Sequence, residues 1–290
     1  MSRTLGTLVY DAAARIARSL PHFRGKWQIV DRVSRTLLPL RGAGDDLRTV
    51  RMKNGSLMTW NVRDAAEGRA AWLGIWDDLI RDAVFVRLEP GAVILDIGAS
   101  VGAWTVPMAR WLGVSGRVYA FEPVPANRTR LEQAVLANAL GNVVISPMAL
   151  GDGSRQVDMW LKSWKTGSST GTAAVVPTGT GHLTVSMQSL DDWAAENDLQ
   201  RLDFIKLDVE GAEFFVLAGA EHVITRFRPL ILAEFDAYWI STHEMTAKDV
   251  SRWAAAHRYL LMRWDRHDRK FLPSDGPGDD ETLLVPMERA

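Results

Sequence analysis

Apolar positions recur along this chain in two rhythms, and the change between them falls near Leu88. Before it the spacing is mostly helical. Leu5, Leu8, Val9, Ala12, Ala13, Ile16 and Leu20, with Arg15 and Arg18 among them, predict an amphipathic helix over 5–20. A second such segment covers 29–38. Val50, Met52, Leu57, Met58 and Trp60 flank Asn54-Gly55, a tight-turn pair, and predict a hairpin over 48–60. Trp72, Ile75, Trp76 and Leu79 fall on one side of a helix predicted over 68–86. The plain expectation is that the two N-terminal helices pack on the main domain. A membrane-surface helix or a dimer helix is the alternative, so a homodimer stays open.

From Leu88 onward short apolar strands alternate with helices. Strands are predicted at 92–97, 117–122, 142–149, 202–208 and 229–235, with helices at 103–112, 126–140, 190–197 and 212–226. This order predicts an α/β fold with a mostly parallel sheet covered by helices on both faces. Strands at 258–264 and 281–287, separated by a turn-rich loop over 273–280, predict an antiparallel pair at one sheet edge. The stretch 153–188, rich in Gly, Ser and Thr over 166–172, breaks the alternation and reads as an inserted hairpin or flap. The expected organisation is an extension over 1–87 followed by an α/β domain over 88–290.

Composition narrows the function classes. Hydrophobic residues make up 47% and charged residues 24%, with a net charge of −1, so neither nucleic acid nor an acidic surface is attracted by the chain as a whole. No concentrated basic stripe appears, and a nucleic-acid partner is not expected. The absence of cysteine excludes disulfides, thiolate metal sites and cysteine nucleophiles. No apolar run reaches the length of a membrane span. Asp11, Arg15 and Arg18 interrupt any signal-peptide core, so a cytoplasmic chain is expected.

The segment Val93-Ile94-Leu95-Asp96-Ile97-Gly98-Ala99-Ser100-Val101-Gly102 reads as a buried strand entering a glycine-bearing turn, with a helix from about Ala103. Open α/β sheets bind ligands at the carboxyl ends of their strands. Gly98 and Gly102 let a ligand approach the backbone, and the helix N-terminus points free N–H groups at it. A dinucleotide site wants Gly-x-Gly-x-x-Gly; here Asp96 and Val101 stand at the first and last glycine positions. A carboxylate at Asp96 repels a pyrophosphate but suits the ammonium of S-adenosylmethionine, which has no phosphate. The next strand ends at Glu122, placed to accept hydrogen bonds from both ribose hydroxyls, with Pro123 after it. Met148 and Ala149, at the end of the third strand, are candidates to border the adenine. Taken singly, each feature also fits an ordinary turn or strand end.

These residues resemble the FkbM family of class I methyltransferases. The resemblance rests on Leu88-Glu89-Pro90-Gly91 leading into 93–102, on Phe121-Glu122-Pro123-Val124-Pro125, and on Ala149-Leu150-Gly151-Asp152. It rests above all on Asp203-Phe204-Ile205-Lys206-Leu207-Asp208-Val209-Glu210-Gly211-Ala212-Glu213, followed by Leu217-Ala218-Gly219-Ala220 and by 229–234. It spans roughly 88–236. It implies a Rossmann-like, seven-stranded sheet, S-adenosylmethionine as donor, and O-methylation of a hydroxyl on a glycan, a lipid or a natural product.

Methyl transfer to an alcohol needs an aligned acceptor and a base or metal for its proton. Asp208, Glu210 and Glu213 crowd the end of the fourth strand, Lys206 shares a strand face with Asp208, and Glu234 and Asp236 end the fifth. Asp208 and Glu234 are expected to face the acceptor, one of them as general base or as a Mg²⁺-type ligand, and Asp208 also to contact the cofactor. Glu213 is expected to cap the following helix, and Lys206 is a catalytic candidate or else the partner of a buried acid. His243, after the fifth strand, and His182, in the insertion, are further candidates, although a loop histidine is more often a surface residue. Trp160, Trp164 and Trp239 fit either stacking on an acceptor or pinning loops. The alternatives are a nicotinamide-dependent oxidoreductase, disfavoured by Asp96, and a binding module that keeps the fold without catalysis.

Overall fold

The computed structural model describes residues 5–21, 23, 25–41, 46–161, 173–174, 181–236, 241, 243–278 and 281–289. These residues fall into two units, one within residues 1–78 and one from residue 79 onward. No described helix is long and apolar enough to cross a membrane.

The first unit holds helices α1 (Leu5–Ser19), α2 (Lys26–Leu37) and α3 (Ala65–Leu73) and a hairpin of β1 (Leu47–Arg51) with β2 (Leu57–Asn61). Asp64 starts α3 by accepting hydrogen bonds from the Ala66 and Glu67 N–H groups, both at 2.9 Å. Gly74, at φ +71°, ends it in the left-handed conformation that glycine adopts without strain. The single helix expected over 68–86 is therefore two, α3 and α4 (Asp78–Phe85). Helix α1 corrects its own periodicity. Its buried side is Thr7, Tyr10, Ala14 and Ala17, while Leu5, Leu8, Val9 and Ile16 are exposed. Small residues let α1 approach α3 closely, and the Tyr10 ring meets the Trp72 ring edge-on at 5.0 Å.

The second unit is built on an eight-stranded sheet of β3 (Val93–Ile97), β4 (Arg117–Phe121), β5 (Val143–Ser146), β10 (Phe204–Leu207), β11 (Leu230–Glu234), β12 (Tyr259–Asp265), β13 (Lys270–Ser274) and β14 (Glu281–Pro286). Its order is β13-β12-β14-β11-β10-β3-β4-β5. The five strands β11 to β5 are parallel, as the alternation predicted, and β3 lies at their centre, where the winding direction switches. Helices α5 (Thr105–Leu112), α6 (Pro125–Ala137), α7 (Leu190–Glu196), α8 (Glu213–Ala218), α9 (Glu221–Phe227) and α10 (Ala247–Ala256) connect the strands.

Two expectations change at the antiparallel end. Strand β14 enters the sheet between β11 and β12 and is buried along its whole length, so the late pair does not lie at the edge. The edge belongs to β13, an eighth strand formed partly from the segment expected as a loop. It is held by a cross-strand contact of Trp264 with Phe271 at 5.1 Å. Two further boundaries also move. The strand expected over 142–149 stops at Ser146, because Pro147 has no N–H for the ladder. The helix expected over 212–226 breaks at Gly219, where a Cβ would stand 1.9 Å from the Gly151 carbonyl oxygen.

Beyond Pro147 the chain forms a second, four-stranded sheet in the order β6-β9-β7-β8, with β6 (Ala149–Gly151), β7 (Arg155–Leu161), β8 (Ala173–Ala174) and β9 (Gly181–Ser189). β7 and β9 pair antiparallel as a hairpin, in the region expected to hold one.

The core sits between the main sheet and its helices. Leu95, Ile97, Ile205, Leu207 and Ile231 are fully buried there, each contributing about 2 kcal/mol of apolar burial. Trp193 of α7 locks onto β4 through edge contacts with Tyr119 and Phe121 at 4.9 and 5.0 Å.

Candidate active site

The turn after β3 is bent back onto β4. The Gly98 and Ala99 N–H groups both donate to the Phe121 carbonyl, at 3.1 and 3.0 Å, and the Gly102 N–H donates to Ala99 at 2.9 Å. The physical demand for the glycines differs from the expected one. Gly98 has φ +85°, and a Cβ on it would lie 1.8 Å from the Asp208 carbonyl oxygen; Gly102 has φ +91°, and its Cβ would lie 2.8 Å from Leu131 Cδ1. Both glycines are required by left-handed backbone and by close protein packing, before any ligand is considered. Gly98 thereby seats the β10 loop directly against the β3 turn.

Ser100, inside this turn, also has positive φ, +49°, without being glycine. Its N–H donates to Glu122 Oε2 at 2.8 Å, and the Val124 N–H donates to Glu122 Oε1 at 2.8 Å. Glu122 thus straps the turn to the end of β4. Burial pushes its carboxyl up to about 7, against the pull of those two N–H groups and Asn127. A carboxylate has about four acceptor positions, and three are taken. One acceptor position remains beyond these three.

Asp96 is buried beside the turn and accepts the Thr105 hydroxyl at 2.5 Å, fixing the first residue of α5. Burial pushes it up to about 6, moderated by Thr105 and by Lys206. Asp96 is thus buried, with one of its acceptor positions taken by Thr105. Ala99 is buried, whereas Met148 and Ala149 are half-buried at the crossing between the two sheets. Pro123 contributes its carbonyl to Arg128 at 3.0 Å.

The fourth and fifth strands bring together an ion cluster. Lys206, 1% exposed, donates to Asp208 Oδ2 at 3.3 Å and pairs with Glu281 Oε1 at 3.1 Å. Its ammonium also lies 5.5 Å from the centre of the Trp104 ring. Burial alone would lower its pKa, but Asp208, Glu281 and Glu234 outweigh burial and raise it, so Lys206 stays protonated. The geometry gives Lys206 a pairing role. Glu234, at the end of β11, is exposed. Desolvation, then Asp208 and Glu281, push it up to about 8.

Glu213 behaves as a cap. It is buried, and its Oε1 accepts the Val209 and Gly211 N–H groups at 3.1 and 3.2 Å, fixing the loop after β10. Its Oε2 is buried without a hydrogen-bond partner, and burial pushes the group up to about 7. His243 packs edge-on against Phe215 at 5.0 Å. Trp160 is half-buried with its ring 5.7 Å from exposed His182. Trp164 and Trp239 lie outside the described residues.

Among the described residues Asp208 and Glu234 belong to no converging set of three ligands, and the Lys206 ammonium already fills the place between Asp208 and Glu281. Sequence reasoning missed Glu281, Thr105, Ser100 and Trp104. Glu281 did carry a signal, being an acid at the head of an otherwise apolar strand, which requires a buried cation beside it.

The sequence profile described as "Methyltransferase FkbM domain" matches residues 96–261, more than half of the chain. The chain belongs to the FkbM methyltransferase domain family. Among curated relatives, the 2-O-methyltransferase NoeI of Sinorhizobium fredii is 28% identical over 174 residues, which is 51% of this chain and 65% of that protein. The AMB antimetabolite synthetase AmbE of Pseudomonas aeruginosa is 26% identical over 201 residues, 56% of this chain and 9% of that protein. The FkbM chain thus spans less than two thirds of either relative. Among solved structures, a methyltransferase FkbM from Methylobacillus flagellatus matches with TM-score 0.45 and 19% identity, covering 68% of this chain and 44% of that one. A methyltransferase from Geobacter sulfurreducens matches with TM-score 0.41 and 13% identity, covering 95% and 96%.

Proposed function

We propose that this chain is an S-adenosylmethionine-dependent O-methyltransferase, acting in the cytoplasm on a hydroxyl of a glycan, glycolipid or natural product. The observation that carries the reading is the strap from Glu122 to Ser100, which holds a glycine-bearing turn at the switch point of the sheet. Ligands of open α/β sheets bind at that point. The residues fit the cofactor: Glu122 keeps an acceptor position for a ribose hydroxyl, and the Asp96 position, where a pyrophosphate site wants glycine, carries an acid. The 2-O-methyltransferase among the relatives supports a hydroxyl acceptor.

When bound, S-adenosylmethionine supplies an electrophilic methyl group on a sulfonium. The residues of the chain do the rest. Glu122, Met148 and Ala149 orient the nucleoside end. Lys206 holds Asp208 in place at the mouth of β10, where the carboxylate faces the acceptor. Glu234, accessible and pushed up to about 8, is basic enough to take the proton of an aligned hydroxyl.

The test is a thermal-shift comparison of S-adenosylmethionine with reduced and oxidised nicotinamide dinucleotides, followed by labelled methyl transfer into glycan, glycolipid and metabolite fractions. Stabilisation by S-adenosylmethionine alone and label in a hydroxyl product are expected. Stabilisation by a nicotinamide cofactor would replace the reading with an oxidoreductase. Cofactor binding without any labelled product would leave a binding module. Loss of transfer with retained cofactor binding is expected for Asp208→Ala; wild-type turnover by that variant removes Asp208 from the mechanism.

A further inference from the structure

The apolar stripe of α1 is exposed. Leu5 is 78% exposed and Ile16 61%, with Leu8, Val9 and Leu20 beside them, whereas the packed side of the helix is Thr7, Tyr10, Ala14 and Ala17. Helix α2 repeats the arrangement: Lys26 and Val30 are buried, and Ile29 and Val33 are exposed. The 3-10 turn Leu38–Arg41 adds exposed Leu40, whose backbone lies against Gly6 at the head of α1. Nine of the eighteen large exposed hydrophobics among the described residues fall between Leu5 and Leu40. A helix that buries small residues and exposes its large aliphatic ones is arranged for a second apolar phase.

Charge identifies that phase. Residues 1–41 contain eight arginines and lysines against Asp11 and Asp31, a formal charge of +6. The remaining residues carry −7, since the whole chain sums to −1. The near-neutral total conceals this separation. Arg15 and Arg32 are exposed and stand on the helix flanks beside Leu8 and Ile29. Arg18 and Lys26 turn inward instead, donating to the Ala71 and Leu20 carbonyls. Exposed aliphatic residues flanked by arginine on short helices are what an in-plane interfacial helix requires. Neither helix is long enough to cross a bilayer: α1 has 15 residues and α2 has 12.

We infer that α1 and α2 dock this chain onto an anionic lipid bilayer, with Leu5, Leu8, Val9 and Ile16 inserted at the headgroup boundary and Arg15 and Arg32 on the acidic headgroups. A second copy of the chain is the competing occupant. It would bring a second +6 segment against the first, which is electrostatically unfavourable.

Flotation of the full-length protein separates the two. Vesicles of phosphatidylcholine containing about one third phosphatidylserine should carry the protein upward, and vesicles of phosphatidylcholine alone should not. Leu8→Asp with Ile16→Asp should abolish flotation while leaving the melting temperature and S-adenosylmethionine binding unchanged, because both side chains are exposed. Arg15→Gln and Arg32→Gln should each weaken binding about fivefold, and added salt should do the same. The inference fails if the wild-type protein ignores anionic vesicles or binds neutral ones equally. It also fails if sedimentation velocity finds a dimer that Ile16→Asp dissociates while vesicle binding is absent. None of these readouts depends on methyl transfer.

Discussion

The carboxylate of Glu281 meets the buried ammonium of Lys206 at 3.1 Å, although β11 runs between their two strands. Glu281 faces Glu234 in the β11–β14 register, so one lysine answers acids from three adjacent strands or their ends. That arrangement sets the charge of the candidate acceptor site and makes it sensitive to single substitutions.

Lys206→Met removes the buried cation that Asp208 and Glu281 share. A loss of about 3–5 kcal/mol in urea unfolding is expected. Adding Glu281→Gln to Lys206→Met should recover part of it. A double-mutant cycle that shows no coupling between the two positions would disprove the pairing.

Glu122→Gln should weaken S-adenosylmethionine binding by about 1–3 kcal/mol, roughly 5- to 150-fold, in a calorimetric titration. A glutamine presents only one oxygen, so the Ser100 or the Val124 N–H loses its acceptor and the strained Ser100 turn loosens. Unchanged affinity would show that the strap does not shape the cofactor turn.

Gly98→Ala and Gly102→Ala should differ. The first drives a Cβ into the Asp208 backbone and is expected to cost about 3 kcal/mol or more. The second meets the flexible end of Leu131 and should cost less, about 1–2 kcal/mol, mostly from backbone strain. Chemical denaturation of both variants reads the order directly.

Stability should fall as pH rises from about 4.5 to about 7. Glu122 and Glu213 are pushed up to about 7 and Asp96 to about 6 by burial, so in this window the folded chain holds more protons than the unfolded one. Raising the pH through the window therefore favours unfolding. Glu213→Gln, which cannot ionise, should flatten the decline in melting temperature. An unaltered profile would place the titration elsewhere.

Methyl transfer should rise with pH through about 8, since Glu234 must be ionised to accept a proton and its carboxyl is pushed up to that value. Glu234→Gln should lower kcat by about 10²–10⁴-fold and remove that limb of the profile. A variant that keeps the limb transfers the role to another group.

Local order was legible in the sequence wherever one residue type enforces it. The strand over 93–97, the turn at Gly98, the hairpin at Asn54-Gly55 and the alternation of five parallel strands all follow from periodicity and from backbone freedom at glycine. The boundaries that moved did so at Gly74, Pro147 and Gly219, where a cap, a missing donor and a close backbone approach act over one or two residues inside an otherwise unbroken pattern. The candidate acids at 96, 122, 208 and 234 were visible because they end strands. Their partners were not, since Ser100, Thr105 and Glu281 become relevant only when distant segments meet.

By itself, then, the sequence determined the family, the parallel sheet and the turn on which the proposed cofactor site is built, because strand period, glycine φ and chain order are local properties. Tertiary structure alone decided that Asp96 accepts the Thr105 hydroxyl, that Lys206 is a buried cation among acids from three strands, and that α1 exposes its aliphatic side. Each depends on what lies opposite a residue across the fold. Burial and pairing free energies arise between segments and leave little trace in the spacing of either one.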